Sequence, residues 1–95
     1  MKDSNSPEIG RIVLSKAGRD CGKKMIVMAI IDNEYVLLID GKARPVENPK
    51  RKKLKHIILT DETAYSIKDK LEKKLHLTNA EVRKSIPVKE GEELV

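Results

Sequence analysis

The sequence predicts a mainly β domain, a small five-stranded barrel followed by one or two short α-helices. Three observations predict it. From Ile9 to Leu59, short apolar runs alternate with turns built on Gly, Pro, Asp and Asn. After Thr60 the apolar residues switch to helical spacing, at Ala64, Ile67, Leu71 and Leu75. The 95-residue length suits one domain with a modest core, and closing the sheet removes exposed strand edges.

The elements follow in order. Residues 1–7 are polar and end in Pro7, a flexible lead-in. Ile9 to Ser15 is rich in β-branched residues and forms the first strand. Lys16 to Lys23 places Gly18 and Gly22 among charges and forms a loop. Met25 to Ile31 is a continuous apolar run, MIVMAII, whose length favours a buried strand over a helix. Asp32-Asn33-Glu34 is turn chemistry, and Tyr35 to Ile39 completes a hairpin that half-buries Tyr35. Asp40-Gly41 turns the chain again. Arg44-Pro45-Val46 reads as a short edge strand, because Pro45 lacks the N–H of a central strand. Lys50 to His56 reads as a basic loop, with strand character resuming toward Leu59.

Thr60 or Asp61 is placed to cap the first helix, with Glu62 in its first turn. Its stripe of Ala64, Ile67, Leu71 and Leu75 is a packing face for the barrel. Thr78 and Glu81 have the spacing of a capping box, which predicts a second helix over Asn79 to Ser85, ended by Pro87. The acidic tail 88–95 is expected to be loose. The organisation is thus a lead-in at 1–7, a barrel at 8–59, a helical extension at 60–87 and a tail at 88–95.

Charge is distributed unevenly. The net charge is +5, yet residues 1–59 hold 13 Lys or Arg against 7 Asp or Glu, and residues 60–95 hold 7 against 8. A polyanion is therefore the expected partner of the first segment. Phe and Trp are absent and Tyr35 and Tyr65 are the only aromatics. Recognition by base stacking needs more rings than that, so contact with a nucleic acid should go to phosphate and sugar. Gly18 and Gly22 permit a tight loop that brings Lys16, Arg19, Lys23 and Lys24 toward a phosphate. Lys50, Arg51, Lys52, Lys53 and Lys55 supply a second positive segment. These nine side chains are the expected RNA contacts, with Gly18 and Gly22 shaping the loop.

Other chemistries fit poorly. The Gly18–Gly22 spacing is one residue too short for a Walker phosphate loop, and no Ser or Thr follows Lys23. Cys21 is the only cysteine, which excludes an internal disulfide and suits a reducing compartment. Cys21, His56 and His76 have no metal-ligand spacing. Ser15, His56 and Asp40 supply the residue types of a hydrolase triad without any pattern that assembles them. No cofactor, metal or catalytic residue is expected. With no apolar leader or membrane-length run, the protein is expected to be soluble and cytoplasmic.

The stretch IGRIVLSKAGRDCGKKMIVMAII resembles a KOW motif, in which a strand enters a Gly-containing loop and leaves as a second strand. Gly18, Gly22 and Lys23 match that motif, while Cys21 stands where many members carry Lys. With the continuation YVLLIDGKARPVENPKRKKLKHI, the likeness extends over roughly residues 8–59. The chain resembles bacterial KOW-domain proteins related to the eukaryotic and archaeal large-subunit ribosomal protein family fourteen-e. The resemblance implies an SH3-like barrel that binds ribosomal RNA and has no catalytic activity. A KOW-type adaptor in transcription or translation, binding a protein through the C-terminal helix, is the alternative. Duplex DNA shares the electrostatics and is a third candidate ligand.

Overall fold

The apolar run at 25–31 explains the architecture, because both of its faces are buried. In the computed structural model, which describes residues 7–86, Met25 and Val27 join one cluster of buried side chains and Ile26 joins another. A strand covered on both sides has no need of polar alternation. This strand, β2 (Lys24–Ile30), is the middle of a five-stranded antiparallel sheet. Its neighbours are β1 (Arg11–Ser15) and β3 (Tyr35–Ile39), and the edges are β4 (Lys50–Lys53) and β5 (Ile57–Thr63), in the order β4-β3-β2-β1-β5.

The first cluster gathers Val13, Met25, Val27, Val36, Leu38 and Ile57 on one face of the sheet, with Leu54 and Leu59 packed against it. Register shifts between Arg11 and Val13 and between Val27 and Ala29 add local twist to the sheet. Ile12, Ile26 and Ile39 face the other way and pack with Ala64, Ile67, Leu77 and Val82 from the C-terminal region. Two helices cover this outer face, α1 (Tyr65–Glu72) and α2 (Asn79–Ser85). They approach closely only because two turns carry glycine. A Cβ at Gly10 would lie 2.5 Å from Lys68 Cβ, and one at Gly41 would lie 2.5 Å from the Asn79 carbonyl oxygen.

Several expectations need correction. The sheet is open, not a closed barrel. No ladder joins β4 to β5 among the described residues; a single 3-10 turn at Leu54–His56 runs one into the other. The basic stretch at 50–53 is a strand, not a loop. Its ladder pairs Tyr35 with Lys53 and Leu38 with Lys50. Residues 44–46 form no strand; backbone N–H groups of Asp40 and Gly41 both donate to the Arg44 carbonyl and make a tight turn.

Thr60 and Asp61 do not cap α1, because β5 continues through Thr63. Ala64 occupies the cap and donates its N–H to the Gly10 carbonyl at 2.8 Å. Leu75 is exposed, and Leu77 takes its place in the core. The helix ends in a Schellman motif. The Leu75 N–H reaches the Lys70 carbonyl and the Lys74 N–H the Leu71 carbonyl, with Lys74 in the left-handed region at φ 57°. That reversal carries Leu75 outward. α2 forms where the capping box predicts: Thr78 Oγ1 accepts from the Glu81 N–H at 3.2 Å, and a Glu81 carboxylate oxygen accepts from the Thr78 N–H at 2.9 Å. Pro87 and the tail lie outside the described residues, as does most of the lead-in.

Candidate nucleic-acid interface

Gly18 and Gly22 adopt φ values of 78° and 85°, a region closed to most side chains. Between them, Gly18–Asp20 forms one 3-10 turn. The loop is fastened at both ends. Ser15 and Lys23 close it through the Ser15 N–H to Lys23 carbonyl bond at 3.0 Å, and the Lys16 N–H donates to the His56 carbonyl at 2.9 Å. The second bond ties the glycine loop to the turn that follows the basic strand.

Lys52 makes the closest link between the two segments. It pairs with Val36 on β3 and is only 8% exposed. Its ammonium donates to Ser15 Oγ at 2.8 Å and to the Ala17 carbonyl at 2.7 Å. Edge strand β4 is therefore fixed to the end of β1 by a side chain where no ladder runs. Burying an ammonium is unfavourable unless its protons are used, and two of them are. Asp20 is also a buried charge, 2% exposed, as is Asp40 at 8%. The Asp20 carboxylate accepts from Arg44 Nε at 3.1 Å and lies 3.9 Å from the Lys23 ammonium. This ion pair joins the glycine loop to the turn at 40–44.

The outward side chains of β4 behave differently. Arg51 and Lys53 flank the Tyr35 ring, their cationic groups 4.2 and 5.8 Å from its centre. The guanidinium over the ring makes a cation–π contact and occupies a face that a base would need. Tyr35 thus serves to orient Arg51.

The loop and the strand border one open groove of about 510 Å³. Of the nine expected contacts, Arg19, Lys50, Arg51, Lys52 and Lys53 line it. Four do not. Lys16 and Lys55 are exposed outside it, Lys23 leans on Asp20, and Lys24 lies 4.0 Å from the Glu62 carboxylate. Arg44, His56 and Tyr35, none of them among the nine, also line the groove. Arg44 was legible only as part of an assumed edge strand; its pairing with Asp20, 24 positions away, has no local signal. Six Lys or Arg side chains thus face one carboxylate, Asp20. Such a surface carries a positive field of the kind that draws polyanions toward a protein.

Among the described residues, no three His, Cys, Asp or Glu side chains gather as a metal site would require. Ser15 Oγ is occupied by Lys52 and by the Ala17 carbonyl. No described helix is long and apolar enough to cross a membrane.

No family model matches the chain. Individual proteins do. Large ribosomal subunit protein eL14 of Desulfurococcus amylolyticus is 38% identical over 56 residues, which cover 59% of this chain and 58% of that protein. The eL14 protein of Metallosphaera sedula is 36% identical over 56 residues, with the same coverage. That of Pyrobaculum calidifontis is 30% identical over 79 residues, 83% of this chain and 70% of that protein. The chain spans a little over half the length of the first two. These relatives are archaeal, so a bacterial branch finds no support in them, and none carries the KOW name. Because the last of these relatives is 30% identical over 83% of this chain and 70% of its own length, the chain belongs to the eL14 family of large ribosomal subunit proteins.

Proposed function

We propose that this chain is a non-catalytic RNA-binding protein of the large ribosomal subunit in the cytoplasm, gripping ribosomal RNA by its phosphate backbone. The observation that carries the reading is the groove in which six cationic side chains from β4, the glycine loop and the 40–44 turn face a single carboxylate. The relatives' shared name, a large ribosomal subunit protein, supports the same partner and lends nothing to an adaptor role. Phosphate contacts position a protein without reading sequence. With Arg51 over Tyr35, the groove offers no free ring for stacking, and recognition there goes by shape and charge. We also assign the sheet to the SH3-like, KOW type. The gathering of side chains from β1, β2, β3 and β5 into one cluster and the single 3-10 turn linking β4 to β5 support that assignment.

The test is a charge reversal on the outward side of the groove, Lys50→Glu with Arg51→Glu and Lys53→Glu. Lys52 is left intact because it holds the fold. Binding to ribosomal RNA, measured against salt, should weaken at least a hundredfold, and the log–log salt slope should shrink by about two to three, at roughly 0.7–0.9 per lost phosphate. A folded variant with the affinity and slope of the parent would overturn the proposal.

A further inference from the structure

We propose that the groove holds one preformed phosphodiester seat, made by Lys52 at its floor and Arg44 at its wall, distinct from the loosely held cations at its rim. This deepens the RNA-binding reading and rests on it. Two side chains in the groove are fixed before any ligand arrives, and each retains unused donors. Lys52 is nine-tenths buried. Two of its three N–H groups go to Ser15 Oγ and the Ala17 carbonyl, and the third has no partner among the described residues. Gly18 leaves that ammonium uncovered. A Cβ at position 18 would lie 3.6 Å from Lys52 Nζ, so a longer side chain would sit over it.

Arg44 is held in a similar way. Its Nε donates to buried Asp20, and its backbone is locked by the Arg44 N–H to Asp40 Oδ1 bond at 2.9 Å. Its two terminal nitrogens have no partner among the described residues. A guanidinium anchored through Nε presents its remaining N–H groups in a fixed plane, the geometry that suits a phosphate. Asp20 is a positioning residue here. It lowers the net charge of the groove, yet it orders the arginine, so less conformational entropy is lost on binding. Among the described residues, Lys50, Arg51 and Lys53 pair with no carboxylate, and Arg51 leans only on the Tyr35 ring. They attract a polyanion without specifying where a phosphate sits.

The seat is tested in two ways on the full chain. The first is a titration with inorganic phosphate, followed through the Arg44 Nε–H resonance, against chloride at equal ionic strength. A saturable shift with phosphate alone is expected; identical responses to both anions overturn the seat. The second is Arg44→Lys, which keeps a cation beside Asp20 but removes the spare planar donors. Affinity for a 20-base-pair RNA duplex should fall about tenfold, the scale of one charge-assisted hydrogen bond, with thermal stability retained. Lys84→Arg, a control exposed on α2 outside the groove, should leave affinity unchanged. If the rim reversal weakens RNA binding but Arg44→Lys does not, the seat is refuted and the RNA reading stands. If the rim reversal changes nothing, the RNA reading fails and the phosphate titration alone decides the seat.

Discussion

Replacing Gly41 by alanine attacks the join between the sheet and α2. Gly41 has φ 79°, and an L-residue in that region is disfavoured by about 1–2 kcal/mol. The new Cβ would also lie 2.5 Å from the Asn79 carbonyl oxygen and 3.2 Å from the Arg83 backbone nitrogen. Both atoms belong to the backbone of α2 and cannot rotate aside, so the helix must withdraw. Withdrawal strains the bond from Arg83 Nη1 to the Gly41 carbonyl, 2.7 Å, and that from the Val46 N–H to Asn79 Oδ1, 2.8 Å. It also loosens Val82, which is fully buried. At about 1 kcal/mol per hydrogen bond and a similar amount for partial loss of apolar burial, the total reaches roughly 3–5 kcal/mol. Gly22→Ala is the internal control, since Gly22 has φ 85° with nothing within 4 Å of the new Cβ. It should show the conformational part alone, about 1–2 kcal/mol. Thermal unfolding followed by circular dichroism separates them, because 1 kcal/mol moves Tm by about 4–8 °C in a domain of this size. Gly41→Ala should lower Tm at least twice as far as Gly22→Ala. Equal shifts would refute the close contact between the turn and the helix backbone.

Other substitutions probe other joints. Gly10→Ala sets a Cβ 2.5 Å from Lys68 Cβ at φ 90° and should lower Tm beyond the Gly22→Ala control by displacing α1. Lys74→Gly relieves a left-handed lysine at φ 57° and should raise stability by about 0.5–1 kcal/mol in urea unfolding; a loss would contradict the Schellman ending. Lys52→Met keeps the aliphatic stem but drops both ammonium bonds and should cost about 2–4 kcal/mol, seen as a lower urea midpoint. Glu81 is held down to about 2 from 4.5, first by the hydrogen bond from Lys70, then by the N–H and hydroxyl of Thr78. The unfolded state therefore binds more protons between those values, and stability present above pH 4.5 is lost as pH falls toward 2. Glu81→Gln should flatten that part of the stability–pH profile; an unchanged profile would exclude Glu81 as its source.

The sheet was legible wherever apolar residues mark a strand. β3 begins and ends at the expected residues, and β2 is displaced by one. β4 was hidden because its inward position, normally apolar, is Lys52, so KRKK shows no period of two. The hairpin partner supplies the missing information: β3 fixes the register and makes a strand of four basic residues. The end of β5 was hidden for a related reason, since its last residues, TDET, lie on an open edge and look like a helix cap. Leu75 and Leu77 show the limit of periodicity. A helical stripe extrapolates through Leu75, but the left-handed turn at Lys74 resets the phase. At the site, the two basic segments could be read along the chain, whereas Arg44 became visible only through its distant partner Asp20.

Asn79 ties the start of α2 to the loop between β3 and β4. Its amide oxygen holds the Val46 N–H at 2.8 Å and its NH2 group reaches the Glu47 carboxylate at 3.0 Å, while Arg83 grasps the Gly41 carbonyl. Arg44 lies between these anchor points, so its wall is buttressed from the far side by the first turns of the last helix. Damage to that buttress would reach the groove without touching any residue that lines it, which makes α2 a hidden determinant of the groove's shape.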